Sequence, residues 1–370
     1  MKPSLVLVCL LSHVAASLSS GSSTLRDYHS GLPSIKGAAA DKAVVKERWT
    51  TLPPIALGPR QEHVTLALNT SYLGVLGGIT PFTTTNNTTS FNTIGLLQLY
   101  SLHTRKWLTA SPAPEALNHP NAAVIRGKIY LLGGLYDRQD GSYPGSPRSH
   151  VYDPATDKWT SLPNLPESDT ARGSAAMGVY KNIIYLAGGM SLLPLDPKFG
   201  VQQSVDTVSA FNTTSGQWIT LPEGARTLPG RRDHAGAAVH NGVFYVLGGR
   251  DRGQVNVRGD VFALDLNHLE EGWVVKKGKM PTPRGGISAA LVKGKVYTFG
   301  GEGNPAPGSD GVFDQVEAYD VAEDSWAKLE KMKSPRHGTS AVAIRDSIYI
   351  PGGGVKQGGA PVDTFDAFSP

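Results

Sequence analysis

Residues 128–134 read KIYLLGG, and the same arrangement of residues returns four more times along the chain. The later copies are NIIYLAGG at 182–189, VFYVLGG at 243–249, KVYTFGG at 295–301 and SIYIPGG at 347–353. Each copy is a β-branched or aromatic run that ends in a glycine pair, with a tyrosine three residues before the first glycine. Such residues favour strands, and paired glycines permit tight strand ends. The pattern therefore predicts a β-strand that is repeated along the chain.

Glycine pairs and tryptophans give this repeat its period. Six pairs recur at intervals of 52 to 60 residues, and each is preceded by a tryptophan 26 to 30 residues earlier. A period near 50 predicts a propeller built from repeated blades rather than a string of separate domains. The first glycines of the pairs are Gly77, Gly133, Gly188, Gly248, Gly300 and Gly352, and the tryptophans are Trp49, Trp107, Trp159, Trp218, Trp273 and Trp326.

The segments between these marks complete a blade of four strands. Small-residue stretches such as HAGAAVH at 234–240 precede the repeated strand and suit an innermost strand that is crowded around an axis. A third strand ends in an aromatic residue seven positions before the tryptophan, as in Tyr319 and Trp326. The polar turn between them is typical of antiparallel strands. Because of their fixed place in the repeat, the tryptophans are expected to pack between blades rather than bind sugars or bases.

This order of apolar run, glycine pair, tyrosine, tryptophan and arginine resembles the kelch repeat over roughly residues 44–368. The resemblance implies an all-β fold, a six-bladed kelch-type β-propeller that spans residues 43–370. The marks at the two ends are offset by one, since no glycine pair precedes Trp49 and no tryptophan follows Gly353. We therefore expect residues 43–51 to form the outer strand of the last blade and to close the ring, because an open edge strand promotes aggregation.

The N-terminus predicts export. Residues 1–20 combine Lys2, the apolar run LVLVCLL at 5–11 and small residues, which is typical of a signal peptide cleaved near residues 16–20. Cleavage would remove Cys9, the only cysteine, and residues 21–42 would form a flexible lead-in. No second apolar run is long enough for a membrane anchor. The expected location is the secretory pathway, outside the cell or in a vesicular lumen, with glycosylation sequons at Asn69, Asn86, Asn87 and Asn212.

Arginines and histidines mark the starts of the inner strands. Because these starts surround the axis, we expect them to form a basic channel mouth that suits an anionic or phenolic ligand and disfavours a divalent cation. A competing interpretation is that each arginine braces adjacent blades. The candidate catalytic residues are Arg232, His234, Arg284, Arg336 and His119. The candidate binding residues are Arg60, His63, Tyr136, Arg172, Arg250, Glu302 and His337.

Several classes of function are not supported by the residues. The charge is balanced, with 35 Lys+Arg against 31 Asp+Glu, and no basic run with aromatics indicates nucleic-acid binding. No Gly-x-Ser-x-Gly elbow is present, and no histidines have a local metal-ligand spacing. Copper-radical oxidases with kelch repeats need a Cys–Tyr cofactor, which a chain without cysteine cannot form. We therefore expect no metal and no cofactor.

Two functions remain open. A small, secreted, cysteine-free kelch protein is similar to fungal hetero-Diels–Alderases of tropolone sesquiterpenoid biosynthesis. This resemblance implies a cofactor-independent cyclase of the isomerase type, which joins a tropolone quinone methide to a cyclic terpene alkene and takes a small hydrophobic or phenolic ligand. The alternative is a non-catalytic secreted binding module for a protein or glycan partner, since long loops on one face of a rigid scaffold are common binding sites.

Overall fold

The computed structural model describes residues 48–194 and 201–370, and its strands belong to a unit that runs from Glu47 to Pro370. The predicted signal peptide, the lead-in and Cys9 lie outside the described residues. The described chain is an all-β fold whose helical content is confined to two short 3₁₀ turns, Glu223–Ala225 and Leu269–Glu271. None of the described helices is long and apolar enough to cross a bilayer.

The described strands are numbered β1 to β26 in chain order. The first thirteen are β1 Arg48–Leu52, β2 Val64–Ala67, β3 Tyr72–Leu76, β4 Ile79–Thr83, β5 Thr89–Thr93, β6 Leu97–Ser101, β7 Lys106–Ala110, β8 Ala122–Ile125, β9 Lys128–Leu135, β10 Ser142–Asp153, β11 Lys158–Leu162, β12 Ala176–Tyr180 and β13 Ile183–Pro194. The others are β14 Gln203–Asn212, β15 Gln217–Ile219, β16 Gly236–His240, β17 Val243–Leu247, β18 Val261–Asp265, β19 Trp273–Val275, β20 Ser288–Val292, β21 Lys295–Phe299, β22 Val316–Asp320, β23 Ser325–Lys328, β24 Val342–Ile344, β25 Ser347–Pro351 and β26 Phe365–Ser369.

Four antiparallel sheets have the four-strand order that the repeat predicts, from a small-residue strand to a tryptophan strand. Three of them are consecutive in sequence, apart from the hairpin β4–β5 that lies between β3 and β6: β2-β3-β6-β7, β16-β17-β18-β19 and β20-β21-β22-β23. An eight-stranded sheet contains the remaining two repeats, β8 to β11 and β12 to β15. The long strands β10 and β13 join these two repeats, since Ser142–Pro144 pairs with Leu192–Pro194.

The fourth of these sheets contains both ends of the described chain. Its order is β1-β26-β25-β24, and β1 pairs antiparallel with β26 from Arg48↔Ser369 to Leu52↔Phe365. The N-terminal strand therefore supplies the outer strand next to the C-terminal strand, as the offset of the repeat marks predicts.

The tryptophans pack against neighbouring repeats, which confirms their predicted structural role. Each of the last five donates its indole N–H to a backbone carbonyl about fifty residues earlier, in the preceding repeat. Trp49 instead packs against Phe299 and Phe368, with ring centroids 5.8 and 5.0 Å away. The five acceptors are the carbonyls of Pro53, Ser111, Pro163, Ala225 and Gly278, at 2.9 to 3.4 Å.

The glycine pairs are needed because the backbone of the next repeat approaches them closely. At Gly300 and Gly301 the φ angles are 58° and 112°, and the N–H of Gly301 donates to the carbonyl of Arg336 at 2.9 Å. The same bond joins Gly189 to Arg232, Gly249 to Arg284 and Gly353 to Arg60. A side chain at these glycines would meet the neighbouring backbone, so the pairs fix the contact between repeats.

Candidate functional site

Six residues that hold the same position in the six repeats form a continuous circle of backbone hydrogen bonds. Each lies just before an inner strand and has a positive φ of 50° to 65°. Each donates its N–H to the carbonyl of the member in the preceding repeat at 2.6 to 3.4 Å, and the first donates to the last. We call this set the axial ring: Glu62, His119, Ser174, His234, Gly286 and Gly338.

Side chains occupy only part of the axial ring. Gly286 and Gly338 have none, so the half of the ring where they lie is free of side chains apart from the Glu62 carboxylate, which lies next to the Cα of Gly338. The three titratable members come together in the other half. His119 Nε2 lies 3.1 Å from Glu62 Oε2, and His234 Nε2 lies 3.7 Å from the same oxygen. The two imidazoles meet edge to face with centroids 4.8 Å apart.

Each imidazole is held from behind by a residue that precedes it in the chain. His119 Nδ1 lies 2.6 Å from Asn118 Oδ1, and His234 Nδ1 lies 2.7 Å from Asp233 Oδ1. Asn118 and Asp233 are 0% and 1% exposed. These contacts direct both Nε2 atoms to the axis, where Glu62, His119 and His234 form a group whose ligand atoms all lie within 4.8 Å of one another.

The two histidines have opposite pKa shifts. Burial lowers the pKa of His119, although Glu62 opposes this effect. Burial and Arg250 also act to lower the pKa of His234, but the hydrogen bonds and charges of Asp233 and Glu62 outweigh them and raise it. Burial would raise the pKa of Glu62, yet the two histidines hold it well below its usual range. The site therefore combines a carboxylate with two imidazoles of different basicity.

A buried ion-pair network lies on the loop side of the axial ring. Arg250 donates from Nε to Asp233 Oδ1 at 2.9 Å and from Nη1 to Glu302 Oε1, and its Nη2 lies 3.3 Å from His234 Nε2. His337 Nδ1 lies 3.5 Å from Glu302 Oε2. All of these side chains are at most 4% exposed, so the predicted binding residues Arg250, Glu302 and His337 pair with one another and with the axial ring.

The loop at residues 356–360 covers this network. Gln61 donates from Nε2 to the carbonyl of Gly358 at 2.6 Å and accepts from the N–H of Ala360 at 3.1 Å. The N–H of Gly358 donates to Glu302 Oε2, and His337 Nε2 lies 2.7 Å from the carbonyl of Lys356. The loop side of the ring is thus filled with hydrogen-bonded groups.

A cavity of about 230 Å³ extends from the axial ring between the inner strands and is partly open to solvent. Its walls are mostly small and apolar, and its polar end is the ring itself. The wall side chains include Ala122, Met177, Ala237, Ile287, Ala289 and Ala341. Such an apolar space with a few convergent polar groups is typical of a small-molecule site.

The five predicted arginines do not line this cavity; they turn into the sheets. Arg284 donates to the carbonyl of Gly300 at 2.7 Å and to Glu317 Oε2 at 2.5 Å. Arg172 donates to the carbonyls of Gly188 and Leu186. The described mouth therefore differs from the predicted basic ring, because each arginine satisfies strand carbonyls and polar side chains next to the glycine pair. The others bond in the same way: Arg60 to Gly77 and Gln98, Arg232 to Asp260, and Arg336 to Ile350 and Asp366.

Two other predicted residues have separate positions. His63 lines the cavity, and its Nε2 lies 3.0 Å from the carbonyl of Pro351; burial lowers its pKa to about 3, so it is neutral. Tyr136 packs against the apolar cluster around Leu117 instead of the cavity. The sequons Asn69, Asn86 and Asn87 are exposed and Asn212 is half-buried.

Glu62 is the functional candidate that the sequence analysis did not include. It occupies the same repeat position as His119 and His234, which the spacing from the glycine pairs indicates, but the search followed arginine and histidine and passed over a carboxylate in that position. Asn118 was also missed, since the repeat gives no sign that its amide orients His119.

Comparison with known proteins agrees with this architecture. The model of the KLHDC2/KLHL20/DRC7 Kelch-repeats domain matches residues 43–241 and 198–354. The Kelch-like protein terF of Aspergillus terreus is 38% identical over 327 residues, which cover 87% of this chain and 68% of that protein. Kelch-like protein 41a of Danio rerio is 24% identical (64% of this chain, 36% of that protein), and human Kelch domain-containing protein 3 is 23% identical (65% and 64%). This chain belongs to the kelch-repeat family of β-propellers.

Proposed function

We propose that the chain is a closed six-bladed propeller whose central cavity binds a small molecule and promotes its cyclisation. Six blades follow if the eight-stranded sheet is counted as two repeats that β10 and β13 connect. Closure is supported by the pairing of β1 with β26 and by the bond from the N–H of Glu62 to the carbonyl of Gly338, which links the first repeat to the last.

The observation that carries the functional proposal is the cavity that ends on Glu62, His119 and His234. At about 230 Å³ it is smaller than the roughly 300–1,000 Å³ of most drug-sized sites. It therefore fits one ring-sized reactant, with a second and larger apolar partner entering from the open side. Polar oxygens of the first reactant would face the axial ring, and its carbon skeleton would contact the alanine walls.

The resemblance to hetero-Diels–Alderases supplies a reaction that fits this arrangement. The oxygen and terminal carbon of a tropolone quinone methide would form two new bonds to the carbons of a terpene alkene. All atoms are retained and nothing is oxidised or reduced, so the step needs no redox cofactor. Holding both reactants together can contribute about 7 kcal/mol or more. Hydrogen bonds from His119 or His234 would stabilise charge that develops on the tropolone oxygens.

The relative terF adds a fungal kelch protein to this argument, since its chain is 38% identical. Among the candidate catalytic residues, we assign direct contact with the reactant to His119 and His234, which lie at the cavity. Arg232, Arg284 and Arg336 would act through the shape of the blades.

The test is product formation from a quinone methide precursor and humulene, followed by chromatography and mass spectrometry. We expect faster formation and a single stereoisomer with the wild-type protein. Ala237→Phe, which fills the cavity, should abolish the acceleration, whereas the control Ala322→Phe in an exposed turn should retain it. A wild-type protein that leaves the rate and stereochemistry of the uncatalysed reaction unchanged would refute the cyclase.

A binding function is the second candidate, because kelch propellers are typical protein-interaction modules and this chain exposes apolar side chains on its loops. Leu57 and Val255 are 71% and 77% exposed. Both lie in connections that the antiparallel strand order places on the same face. A protein or glycan partner would then lose binding with Leu57→Asp and Val255→Asp and be insensitive to Ala237→Phe.

We further propose that the chain enters the secretory pathway and is glycosylated. Asn86 and Asn87 lie at the exposed tip of the hairpin β4–β5, which gives a glycosyltransferase access. Expression in a eukaryotic host should yield a secreted protein that loses mass on treatment with an N-glycosidase. Retention in the cytosol with an unmodified mass would contradict this assignment.

A further inference from the structure

The proton positions around His119 follow from a chain of hydrogen bonds that ends on Asp137. The hydroxyl of Thr93 donates to Asp137 Oδ1, so Thr93 Oγ1 is free to accept from Asn118 Nδ2 at 2.7 Å. The amide of Asn118 is thereby oriented, with Oδ1 facing His119 Nδ1 at 2.6 Å. Because Oδ1 can only accept, His119 carries its proton on Nδ1. A neutral His119 then presents a lone pair on Nε2.

The same reasoning applies to His234. Asp233 Oδ1 accepts from Gln202 Nε2 at 2.7 Å and from Arg250 Nε at 2.9 Å, and His234 Nδ1 lies 2.7 Å from it. A carboxylate among donors requires a donor at Nδ1, which again leaves the lone pair on Nε2. In metal sites the ligating histidine has this arrangement, with its other ring N–H bonded to a carboxylate or carbonyl oxygen.

Glu62 and the two histidines therefore direct acceptor atoms at one another. Glu62 Oε2 lies 3.1 Å from His119 Nε2 and 3.7 Å from His234 Nε2. Two lone pairs at 3.1 Å repel unless a positive charge lies between them. We propose that Glu62, His119 and His234 together bind a divalent first-row transition-metal ion on the axis of the propeller.

The dimensions and the open positions suit such an ion. Ligand atoms bound at about 2.1 Å lie roughly 3.0–3.4 Å from one another, so the Glu62–His119 pair is already at this spacing and His234 needs to approach by a few tenths of an ångström. Two imidazoles and one carboxylate on one side of an ion form a facial set that leaves the other positions free. Gly286 and Gly338 lie on that free side, which faces the cavity.

The surrounding charge also favours a cation. Three buried carboxylates, those of Glu62, Asp233 and Glu302, lie around a single guanidinium, that of Arg250. Arg250 Nη2 is 3.3 Å from His234 Nε2, so it must turn toward Glu302 when the ion binds. The resulting site departs from the metal-free, basic mouth that the sequence predicts, because the arginines that were to supply the positive charge turn into the sheets.

This inference rests on ligand geometry and is independent of the proposed cyclisation. If both hold, the ion would act as a Lewis acid on the oxygens of the reactant at the polar end of the cavity.

The test is Co²⁺ binding by the full-length chain after removal of metal with a chelator. We expect one equivalent to bind, with visible absorption bands of nitrogen and oxygen coordination and a matching mass increase in native mass spectrometry. Glu62→Gln and His119→Gln should weaken the affinity by more than about 100-fold. Asn118→Leu, which removes the acceptor behind His119, should weaken it by about 10- to 100-fold. The matched control His150→Gln removes a buried histidine outside the axial ring and should bind Co²⁺ like the wild type.

Circular dichroism and thermal unfolding establish that each variant is folded before its affinity is compared. Absence of Co²⁺ binding by the wild type would overturn the proposal, and so would equal affinities in the wild type, Glu62→Gln and His119→Gln. In the first case, a doubly protonated His119 detected by NMR would assign the charge between the acceptors to a proton. Loss of cyclisation activity with intact Co²⁺ binding would refute the proposed function and leave the metal site in place.

Discussion

At the residue scale, the arginines at the start of the inner strands show how a repeated charge can serve the fold alone. Arg284 and Glu317 are both 0% exposed and lie 2.5 Å apart, with further bonds from the guanidinium to the carbonyls of Gly300 and Thr282. Taking two charges out of water is costly, so the pair stabilises the fold only as long as both partners are present. This dependence explains why these arginines are conspicuous in the sequence without lining the cavity.

Arg284→Met should lower the free energy of unfolding by about 3–5 kcal/mol, because it leaves Glu317 buried without a partner. The double variant Arg284→Met/Glu317→Met should recover much of this loss. Urea denaturation followed by tryptophan fluorescence measures both. If Arg284 instead contacts the reactant, the single variant would keep wild-type stability and lose turnover per folded molecule.

At the scale of the element, the turn between the third and fourth strands of a repeat contributes to the contact with the preceding repeat. Between β22 and β23, Asp324 accepts from the hydroxyl of Tyr319 at 2.7 Å and from the N–H groups of Lys277 and Gly278 at 3.1 and 3.0 Å. Asp157 makes the equivalent bonds to Tyr152 and to the N–H of Ser111. A single carboxylate thus holds its own turn and the preceding link.

Asp324→Asn should lower the free energy of unfolding at pH 7 by about 1–3 kcal/mol, since hydrogen bonds to a charged acceptor are lost. Burial would raise the pKa of Asp324, but Tyr319 and the two backbone donors lower it. Its folded-state pKa is therefore below the unfolded one, so its contribution is complete above the unfolded value near 3.8 and is lost as pH falls through the folded value.

The difference in stability between wild type and Asp324→Asn should accordingly shrink below about pH 4, which denaturation at a series of pH values would measure. Asp310→Asn, in an exposed loop, is the control. A difference that stays constant down to pH 2 would contradict the role of the carboxylate charge.

At the scale of the whole molecule, the ends of the chain meet in one sheet and the site is assembled from distant repeats. β1 pairs with β26 over five residues, and Trp49 packs on Phe299 and Phe368. Glu62, His119 and His234 come from three different repeats, and the circle of backbone bonds that positions them passes through all six. Loss of one repeat contact would therefore reach the site.

Deletion of residues 1–52, which removes β1, should leave β26 as an unpaired edge and expose Phe368. We expect aggregation and a lower unfolding temperature, because an uncovered edge strand is a template for pairing with another chain. Deletion of residues 1–42 is the control and should give a soluble protein, as judged by size-exclusion chromatography. A soluble, native-like protein after the longer deletion would refute closure by β1.

The sequence by itself determined the repeat, the strand order within it and the structural role of the tryptophans, because these depend on spacing and on residue types that each repeat presents again. It also placed His119 and His234 at the starts of inner strands. Only the tertiary structure decided which way the side chains point. The arginines turn into the sheets toward free carbonyls, whereas the axial-ring residues adopt positive φ and turn to the axis. The partnership of Glu62 with two histidines 57 and 172 residues away depends on the circular arrangement of the repeats, which local spacing does not encode.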